Sequence, residues 1–474
     1  MPEISSSFSG SSSDDVVLIQ AGRNPGDPTM ISVNCPDKTG LGCDLSRIIL
    51  DFGLIITKGD VSTDGRWCYI VLWVVPHLGS IIVRWGSLKE RLLSVCPSCS
   101  LAFYLNQKSS VGSSSDSPLY MLKFYCLDRK GLLHGNQCGI AELELQFDDD
   151  DDDDDGIVVL GNVDATKVLC ELELSIQRVK VTTTPDGRFH QINHLTTLEN
   201  GYTWSRLAKH GIKNLLHTKS RQDDTCGRLN TVLGDACISC ELQLVSPEYE
   251  AVQQGVSTLS PTITEELFCT EISSKDYPSS ALSPDLKRLK KASVTIDNSL
   301  SPAHTLVQIH CVDQKGLFYD VLRTMKDWNI QISYGRFSPV TEGYRDIDLF
   351  IQQIGDKKIV DPEKQNALCS RLKMEMLHPL RVTISNRGPD TELLVANPVE
   401  FSGNGRPRVF YDVTLALKLL GICIFSAEIG RLSASDRQWE VYRFLLDESR
   451  EYPLSNGRAR DQIVDRVRRT LMGW

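Results

Sequence analysis

The chain has 474 residues, enough for about three to four domains of roughly 100–200 residues each. Its charged and apolar fractions are those of a soluble globular protein, and the net charge of −10 falls to −2 when the aspartates of Asp148–Asp155 are left out. No basic stripe would neutralise phosphates, and the most apolar stretch, Trp67–Val75, is far shorter than the roughly 18 residues of a membrane span. Composition therefore excludes nucleic acid and a membrane as partners.

The N-terminus and the cysteines bear on location. Residues 1–15 are rich in serine and contain no arginine, so we expect a disordered N-terminus rather than a targeting signal. Fifteen cysteines, an odd number, are scattered through apolar stretches. This usage predicts reduced thiols and a cytoplasmic protein, with the nucleus as the alternative.

The first predicted unit has the element order βαββαβ, typical of the ferredoxin-like or split βαβ fold. Its strands and helices follow from β-prone runs, a hairpin turn at Asp64-Gly65, and apolar residues at helical spacing. The predicted elements are a strand at Thr29–Asn34, a helix from Leu41 ended by Gly53, strands at Ile55–Ser62 and Trp67–Val75, a helix at Leu88–Val95, and a closing strand at Ser100–Leu105.

A turn motif, Asp-x-x-Gly-apolar followed by another Asp, recurs through the chain. Two complete copies and one that lacks its last Asp are Asp37, Gly40, Leu41 and Asp44; Asp313, Gly316, Leu317 and Asp320; and Asp128, Gly131 and Leu132. A fourth copy keeps Val409 and Asp412 but has Gly405 and Arg408 where the first Asp and the Gly are expected. Repetition at fixed spacing predicts a tandem array of one small module.

The second copy regains its register when residues 135–163 are removed, because Asp164 then takes the vacant place of the final Asp. A second stretch, residues 189–213, shows no apolar alternation where a third strand is expected. We therefore predict that both stretches are insertions, with translated introns or an error of gene prediction as the hypothesis for their origin. The expected consequences are a missing third strand and a less stable second module.

The later copies give the remaining domains. The third has predicted strands at Leu306–Cys311, Ile330–Phe337 and Ile347–Ile354 and a last strand at Leu380–Ser385. Residues 246–303, rich in Ser and Pro, are predicted to be a linker with a short accessory strand at Ser293–Ile296. The predicted domains are module 1 (16–110), module 2 (118–245, interrupted by 135–163 and 189–213), the linker (246–303), module 3 (304–388) and module 4 (389–474).

The repeated turn between first strand and first helix resembles that of the ACT domain. Further matching stretches are Asn34–Asp37, Ser62–Tyr69, Ser301–Leu306, Asp313–Asp320 and Gly405–Leu446. Four such units without an attached enzyme are similar to the plant ACT-domain-repeat proteins. The resemblance implies an α+β fold of tandem ferredoxin-like modules and a role as an amino-acid sensor or binding regulator; the related bacterial PII uridylyltransferase carries similar domains as its regulatory tail.

The turn itself offers groups that suit an amino acid. Glycine lets the backbone approach a ligand, and the first amides of a helix can hold a carboxylate, while the preceding Asp can accept from an ammonium group. The resemblance places amino acids at this turn, where two modules pair within the chain or in a homo-oligomer. The candidate ligand-binding residues are Asp37, Gly40, Leu41, Asp128, Gly131, Leu132, Asp313, Gly316 and Leu317.

Simpler readings of the same residues stay open. Asp can cap the helix while Gly only turns the chain, and the Asp at the seventh place can be there because the helix dipole favours a carboxylate near a helix start. The fourth copy, with Arg408, is expected to have a packing role. Two Cys-x-x-Cys pairs, Cys96/Cys99 and Cys237/Cys240, leave a four-thiolate zinc site conceivable, but no other feature supports it, so we expect neither metal nor cofactor.

Three functions follow from these residues. No nucleophile elbow, phosphate loop or dinucleotide fingerprint has a suitable context, so we expect no enzyme. The leading hypothesis is a non-enzymatic regulator that binds a free amino acid. The alternatives are a protein–protein interaction scaffold and the regulatory subunit of a separate metabolic enzyme or of a uridylyltransferase-like partner.

Overall fold

The computed structural model describes most of modules 1, 3 and 4 and parts of module 2. The described residues are 16–24, 26–77, 83–97, 120–126, 165–170, 172, 174–183, 189–197, 219–234, 237–244, 259–268, 292–340 and 343–474, the last range without 354, 356, 389, 401–402, 404, 423, 435–436, 447–453 and 455.

Strands and helices alternate along the chain as in repeated α+β units. The strands are β1 Val17–Gln20, β2 Thr29–Pro36, β3 Leu54–Thr63, β4 Trp67–Pro76, β5 Tyr120–Cys126, β6 Leu174–Thr183, β7 Phe189–Thr197, β8 Cys237–Leu244, β9 Ser293–Asp297, β10 Thr305–Val312, β11 Ile330–Pro339, β12 Tyr344–Gln353, β13 Arg381–Arg387, β14 Asp390–Pro398, β15 Ile424–Ala434 and β16 Arg437–Leu446. The helices are α1 Leu41–Asp51, α2 Trp85–Val95, α3 Lys219–Leu233, α4 Pro261–Phe268, α5 Leu317–Asp327, α6 Pro362–Leu377, α7 Val409–Lys418 and α8 Gly457–Met472.

Within the described ranges the strands form two antiparallel sheets of eight strands, and each sheet joins modules that are not neighbours in sequence. The first has the order β1-β2-β4-β3-β11-β12-β10-β9 and unites modules 1 and 3. The second has the order β13-β14-β16-β15-β6-β7-β5-β8 and unites modules 4 and 2. The joints are β3 with β11, where Ser62 faces Tyr334, and β15 with β6. The predicted fold class of tandem ferredoxin-like modules is confirmed.

The helices follow the predicted apolar pattern. In α1, Leu41, Leu45, Ile48 and Ile49 recur at helical spacing and are all buried against the sheet. The same holds for α5 in module 3, and one continuous hydrophobic cluster runs through modules 1 and 3. Burial of these faces, rather than helix propensity, is what holds such short helices in place.

One predicted strand belongs to a different sheet. The prediction that the stretch starting at Leu380 closes module 3 is wrong, because β13 pairs with β14 of module 4 from Arg381↔Ala396 to Arg387↔Asp390. Gly388, with φ +65°, lies in a two-residue connection that favours a hairpin with the following strand. The accessory strand predicted within the linker is confirmed as β9, and it pairs with β10 at the edge of module 3.

The third strand of module 2 is present, so the prediction that it is missing is wrong. Phe189–Thr197 pairs with β5 on one side and with β6 on the other. Its position is fixed by backbone hydrogen bonds along both edges, which polar side chains permit as readily as apolar ones. This strand removes the reason for treating residues 189–197 as an insertion. Residues 135–163 lie outside the described residues, as do Ser100–Leu105.

The linker also contains a helix that the sequence did not predict. Helix α4 covers the face of the second sheet that points away from the other helices, where Phe268 packs 5.1 Å from the ring of Trp439. None of the helices in the described ranges combines the length and the apolar composition of a transmembrane span.

Candidate functional site

The turn of module 1 is shaped by one glycine. Pro36 ends β2, and α1 begins at Leu41 directly after Gly40, which has φ +80°. In this left-handed region a side chain would be strained, so glycine is required here. A methyl group at Gly40 would also lie 2.7 Å from Cδ of Lys326, a residue of module 3.

Asp37 does not cap the helix. One carboxylate oxygen accepts from the backbone amide of Lys38 at 2.8 Å. The other accepts from the Thr63 hydroxyl at 2.7 Å and from the Gln331 side-chain amide at 3.4 Å. Asp37 therefore joins the turn to β3 of its own module and to β11 of module 3, with the carboxylate at the boundary between them.

The first turn of α1 supplies donors. The amide of Asp44 bonds to the carbonyl of Gly40, the first bond of the helix. The amides of Gly42 and Cys43 lie ahead of it, in the turn whose N–H groups have no intrahelical acceptor. A helix start with such amides favours an anion.

Two ammonium groups flank this helix start. Asp44 forms ion pairs with Lys38 at 2.8 Å and with Lys326 at 2.7 Å. Burial alone would raise the pKa of Asp44, but the ammonium groups of Lys326 and Lys38 outweigh burial and hold it below its usual value. Lys326 also reaches Glu400 of module 4 at 2.8 Å.

These groups surround a cleft between modules 1 and 3, here called the interface cleft, in which the centre of a water molecule can reach about 50 Å³ of space. Polar residues line it at the turn and along β3 and β11. Its buried lining is apolar and comes from both modules. The lining residues are Asp37, Lys38, Thr39, Gly40, Leu41, Gly42, Cys43, Val61, Thr63, Cys68, Ile70, Leu322, Met325, Lys326, Ile330, Gln331 and Ile332.

The corresponding turn of module 3 is occupied by protein side chains. Asp313 forms an ion pair with Arg345 at 2.7 Å, and Arg345 also donates to the carbonyl of Thr57. Gly316 (φ +77°) lies against the guanidinium of Arg406, which would be 2.7 Å from an added methyl group. Leu317, the third predicted residue, is buried at the start of α5.

The difference between the two turns follows from paired positions. Cys68 faces Cys35 across β2 and β4, whereas Arg345 faces Cys311 at the matching place in β10 and β12. A long cation therefore reaches the aspartate of module 3. In module 1 the same place holds a short thiol, and the Asp37 turn stays open.

The remaining copies of the motif fall into two groups. Asp128, Gly131 and Leu132 lie outside the described residues, as does Asp164. In module 4, Arg408 takes the left-handed conformation, with φ +64°. Its guanidinium lies against Gly53, where an added methyl group would be 2.7 Å from Nη1. This contact with the end of α1 agrees with the packing role expected of the fourth copy.

The aspartates at the seventh place are part of buried charge clusters. Asp412 pairs with Lys315 of module 3 at 2.6 Å. Asp320 lies 3.5 Å from Arg406 and from Arg323, and burial raises its pKa to about 6 against the opposing effect of these arginines. Ion pairs thus account for these carboxylates more directly than the helix dipole does.

No cluster of His, Cys, Asp or Glu in the described part of the chain has the arrangement of a metal site. Cys96 is buried, and its thiol donates to the carbonyl of Leu92 at 3.1 Å. Cys99 lies outside the described residues. Nothing in the described part of the chain favours the zinc alternative.

Thr63, Gln331 and Lys326 also line the cleft, and the sequence pattern does not predict them. Thr63 stands just before the hairpin turn of module 1, a place that could have been derived from the predicted hairpin. Gln331 and Lys326 belong to module 3 and became part of the site only when β11 paired with β3. Their roles depend on a pairing that the repeat pattern does not specify.

Family models and known proteins match the chain along most of its length. Residues 19–97 match the N-terminal model of ACT domain-containing protein ACR10, residues 293–390 an ACR9-like, ACT-like domain, and residues 391–473 the C-terminal model of ACR9. ACT domain-containing protein ACR9 of Arabidopsis thaliana is 56% identical over 461 residues, covering 97% of this chain and 99% of the relative.

Two further relatives are more distant. ACR10 of the same plant is 44% identical over 466 residues, covering 98% of this chain and 99% of that protein. The bifunctional uridylyltransferase/uridylyl-removing enzyme of Azospirillum brasilense is 31% identical over 88 residues, which are 18% of this chain and 9% of the enzyme.

Proposed function

Because the chain belongs to the plant ACR family of ACT-domain regulatory proteins, we propose that it is a non-enzymatic regulator that binds a free amino acid in the interface cleft. The observation that carries the proposal is that the Asp37 carboxylate and the first-turn amides of α1 line the same cleft, at the edge of its apolar floor. An amino acid presents the matching set of an ammonium, a carboxylate and a side chain.

Each end of the ligand has a partner. A carboxylate oxygen can accept several hydrogen bonds, so Asp37 can receive an α-ammonium group while it keeps Thr63. The α-carboxylate fits the amides of Gly42 and Cys43, with the charge of Lys326 nearby. The buried apolar lining, which includes Ile70, favours an aliphatic side chain over a charged one.

The turn of module 3 is the weaker candidate. Arg345 already neutralises Asp313, and Arg406 covers Gly316. A ligand ammonium at Asp313 would have to displace a guanidinium that is bonded on both sides. We therefore assign the ligand to the turn of module 1.

A thermal-shift screen of the full chain against the twenty protein amino acids tests the proposal. Ligand at about 100 times its Kd adds about 2.7 kcal/mol to the stability of the state that binds it. We expect an upward shift with at least one aliphatic amino acid, its loss in Asp37→Asn, and its retention in the matched control Asp313→Asn. A flat screen, or equal loss in both variants, would refute the proposal.

A protein–protein interaction scaffold is the second candidate, favoured by two exposed aromatic residues. Trp67 is 43% exposed and Tyr69 is 51% exposed on the side of the first sheet away from the core. At the matching position of module 4, Trp439 is 4% exposed beneath α4. A flat amino-acid screen, combined with loss of a partner in Trp67→Ser and Tyr69→Ser variants, would favour this function.

A further inference from the structure

Lys326 is shared between the interface cleft and module 4. Its aliphatic chain lies over Gly40 at the cleft, and its ammonium group bridges Asp44 of module 1 and Glu400 of module 4 at 2.7 and 2.8 Å. Burial opposes the charged form, but Cys43, Glu400 and Asp44 outweigh it and raise the pKa of Lys326 above its usual value. One charged side chain of module 3 therefore contacts two other modules, 1 and 4.

Glu400 is buried, so its charged form depends on a nearby cation. Its carboxylate is 1% exposed and also accepts from the Tyr319 hydroxyl at 2.8 Å. The thiol of Cys43, a cleft residue, lies 3.7 Å from the same oxygen that Tyr319 contacts. A buried carboxylate loses much of its stability when a cation moves away from it.

The segment that carries Glu400 is bound to module 3 at both ends. Before it, the carbonyl of Pro398 accepts from Arg323 at 3.2 Å. After it, the guanidinium of Arg406 donates to the carbonyl of Lys315 and covers Gly316, both in module 3, and it also donates to the carbonyl of Leu471 in its own module. Loss of the ion pair between Lys326 and Glu400 would therefore weaken the contact of this segment with module 3, where Arg406 covers Gly316.

From these contacts we propose that Lys326 couples occupancy of the interface cleft to the docking of module 4. A ligand carboxylate at the amides of Gly42 and Cys43 attracts the Lys326 ammonium and competes with Glu400 for it. Ligand binding then weakens the contact between module 4 and module 3, and release of Glu400 strengthens binding, since coupling between two sites is reciprocal. This inference rests on the proposed function and names how that site is regulated.

Binding to full-length variants tests the coupling. The probes are the twenty protein amino acids, each titrated against the wild type, Glu400→Gln and Glu392→Gln. Glu392 is the matched control, because its carboxylate is also 1% exposed in module 4 but pairs with Arg443 at 2.8 Å. We expect Glu400→Gln to lower the Kd at least about fivefold, and Glu392→Gln to leave it unchanged. Glu400→Asp, which keeps the charge but shortens its reach, replaces Glu400→Gln if that variant does not fold.

A second measurement needs no ligand. In Lys326→Gln, hydrogen exchange at the amide of Val399, which bonds to the carbonyl of Gln438 at 3.0 Å, should rise at least about fivefold over the wild type. Unchanged exchange there would overturn the coupling. So would amino-acid binding that Glu400→Gln leaves unaltered or that Glu392→Gln strengthens equally. Failure of every amino acid to bind any variant would instead overturn the proposed function, and with it the ligand-driven direction.

Discussion

Gly40→Ala separates backbone strain from the contact with Lys326. An alanine at φ +80° is strained by about 1–2 kcal/mol. Its methyl group would also lie 2.7–2.9 Å from three carbons of the Lys326 side chain, so that chain must move. Movement of Lys326 disturbs its ion pairs with Asp44 and Glu400 as well as the shape of the interface cleft.

Gly65→Ala is the matched control, because Gly65 has φ +84° but meets nothing closer than Gln331 Nε2 at 3.9 Å. It should cost the backbone strain alone, about 1–2 kcal/mol. Gly40→Ala should cost roughly 1–3 kcal/mol more, the range for disturbing a hydrogen bond that involves charged groups. For a cooperatively unfolding unit of roughly 150–250 residues, each kcal/mol lowers the thermal midpoint by roughly 2–4 °C.

The assay is thermal unfolding of the full chain, with and without the amino acid found in the screen. Gly40→Ala should abolish the ligand-induced shift, whereas Gly65→Ala should keep it, since Gly65 does not line the cleft. Equal midpoints for the two variants, together with equal ligand shifts, would refute the role given to Lys326 at this turn.

Three further predictions concern other parts of the fold. Burial raises the pKa of Asp320 from 3.8 to about 6, so its contribution to stability is full below pH 3.8 and falls as the pH rises through about 6. The wild type should therefore lose about 3 kcal/mol more of its free energy of unfolding than Asp320→Asn between about pH 4 and about pH 7, measured by denaturant unfolding. His378 acts in the opposite sense, because burial, with smaller effects of nearby arginines, lowers its pKa from 6.5 to about 4. Its contribution to stability is present above pH 6.5 and is lost as the pH falls to about 4. In His378→Gln the free energy of unfolding should therefore fall less on acidification than in the wild type. A pH profile of stability that is unchanged in either variant would contradict the assignment. Phe268→Ala should cost roughly 3 kcal/mol and expose Trp439, seen as a red shift of its fluorescence; an unshifted spectrum would mean that α4 does not hold that ring.

Much of each module could be predicted from local pattern. The turn of module 1 was predicted because Asp37, Gly40 and Leu41 combine a backbone requirement with a helix start, and the left-handed φ of Gly40 agrees with it. The helices followed from apolar spacing, which reports directly on a buried face. These features depend on residues close together in the chain.

Pairing between modules could not be predicted in the same way. The repeat pattern is the same whether β3 meets β11 of module 3 or a strand of another copy, because edge strands pair through backbone groups that every residue carries. For the same reason β13 joined module 4. The contributions of Gln331 and Lys326 to the cleft depend on this choice of neighbour.

The third strand of module 2 shows a limit of periodicity. Its sequence alternates polar and apolar residues poorly, and the expectation of a strand was tied to that alternation. Hydrogen bonding along both edges holds it between β5 and β6 instead. Absence of the pattern was therefore weak support for an insertion at residues 189–197.

Hydrogen exchange mapped along the full chain, with and without the amino acid that gives the largest thermal shift, tests the central claim most directly. The account predicts protection by the ligand at the amides of Gly42 and Cys43 and in the neighbouring part of β11 around Gln331. Protection confined to residues outside the interface cleft, or no protection by any of the twenty amino acids, would contradict it.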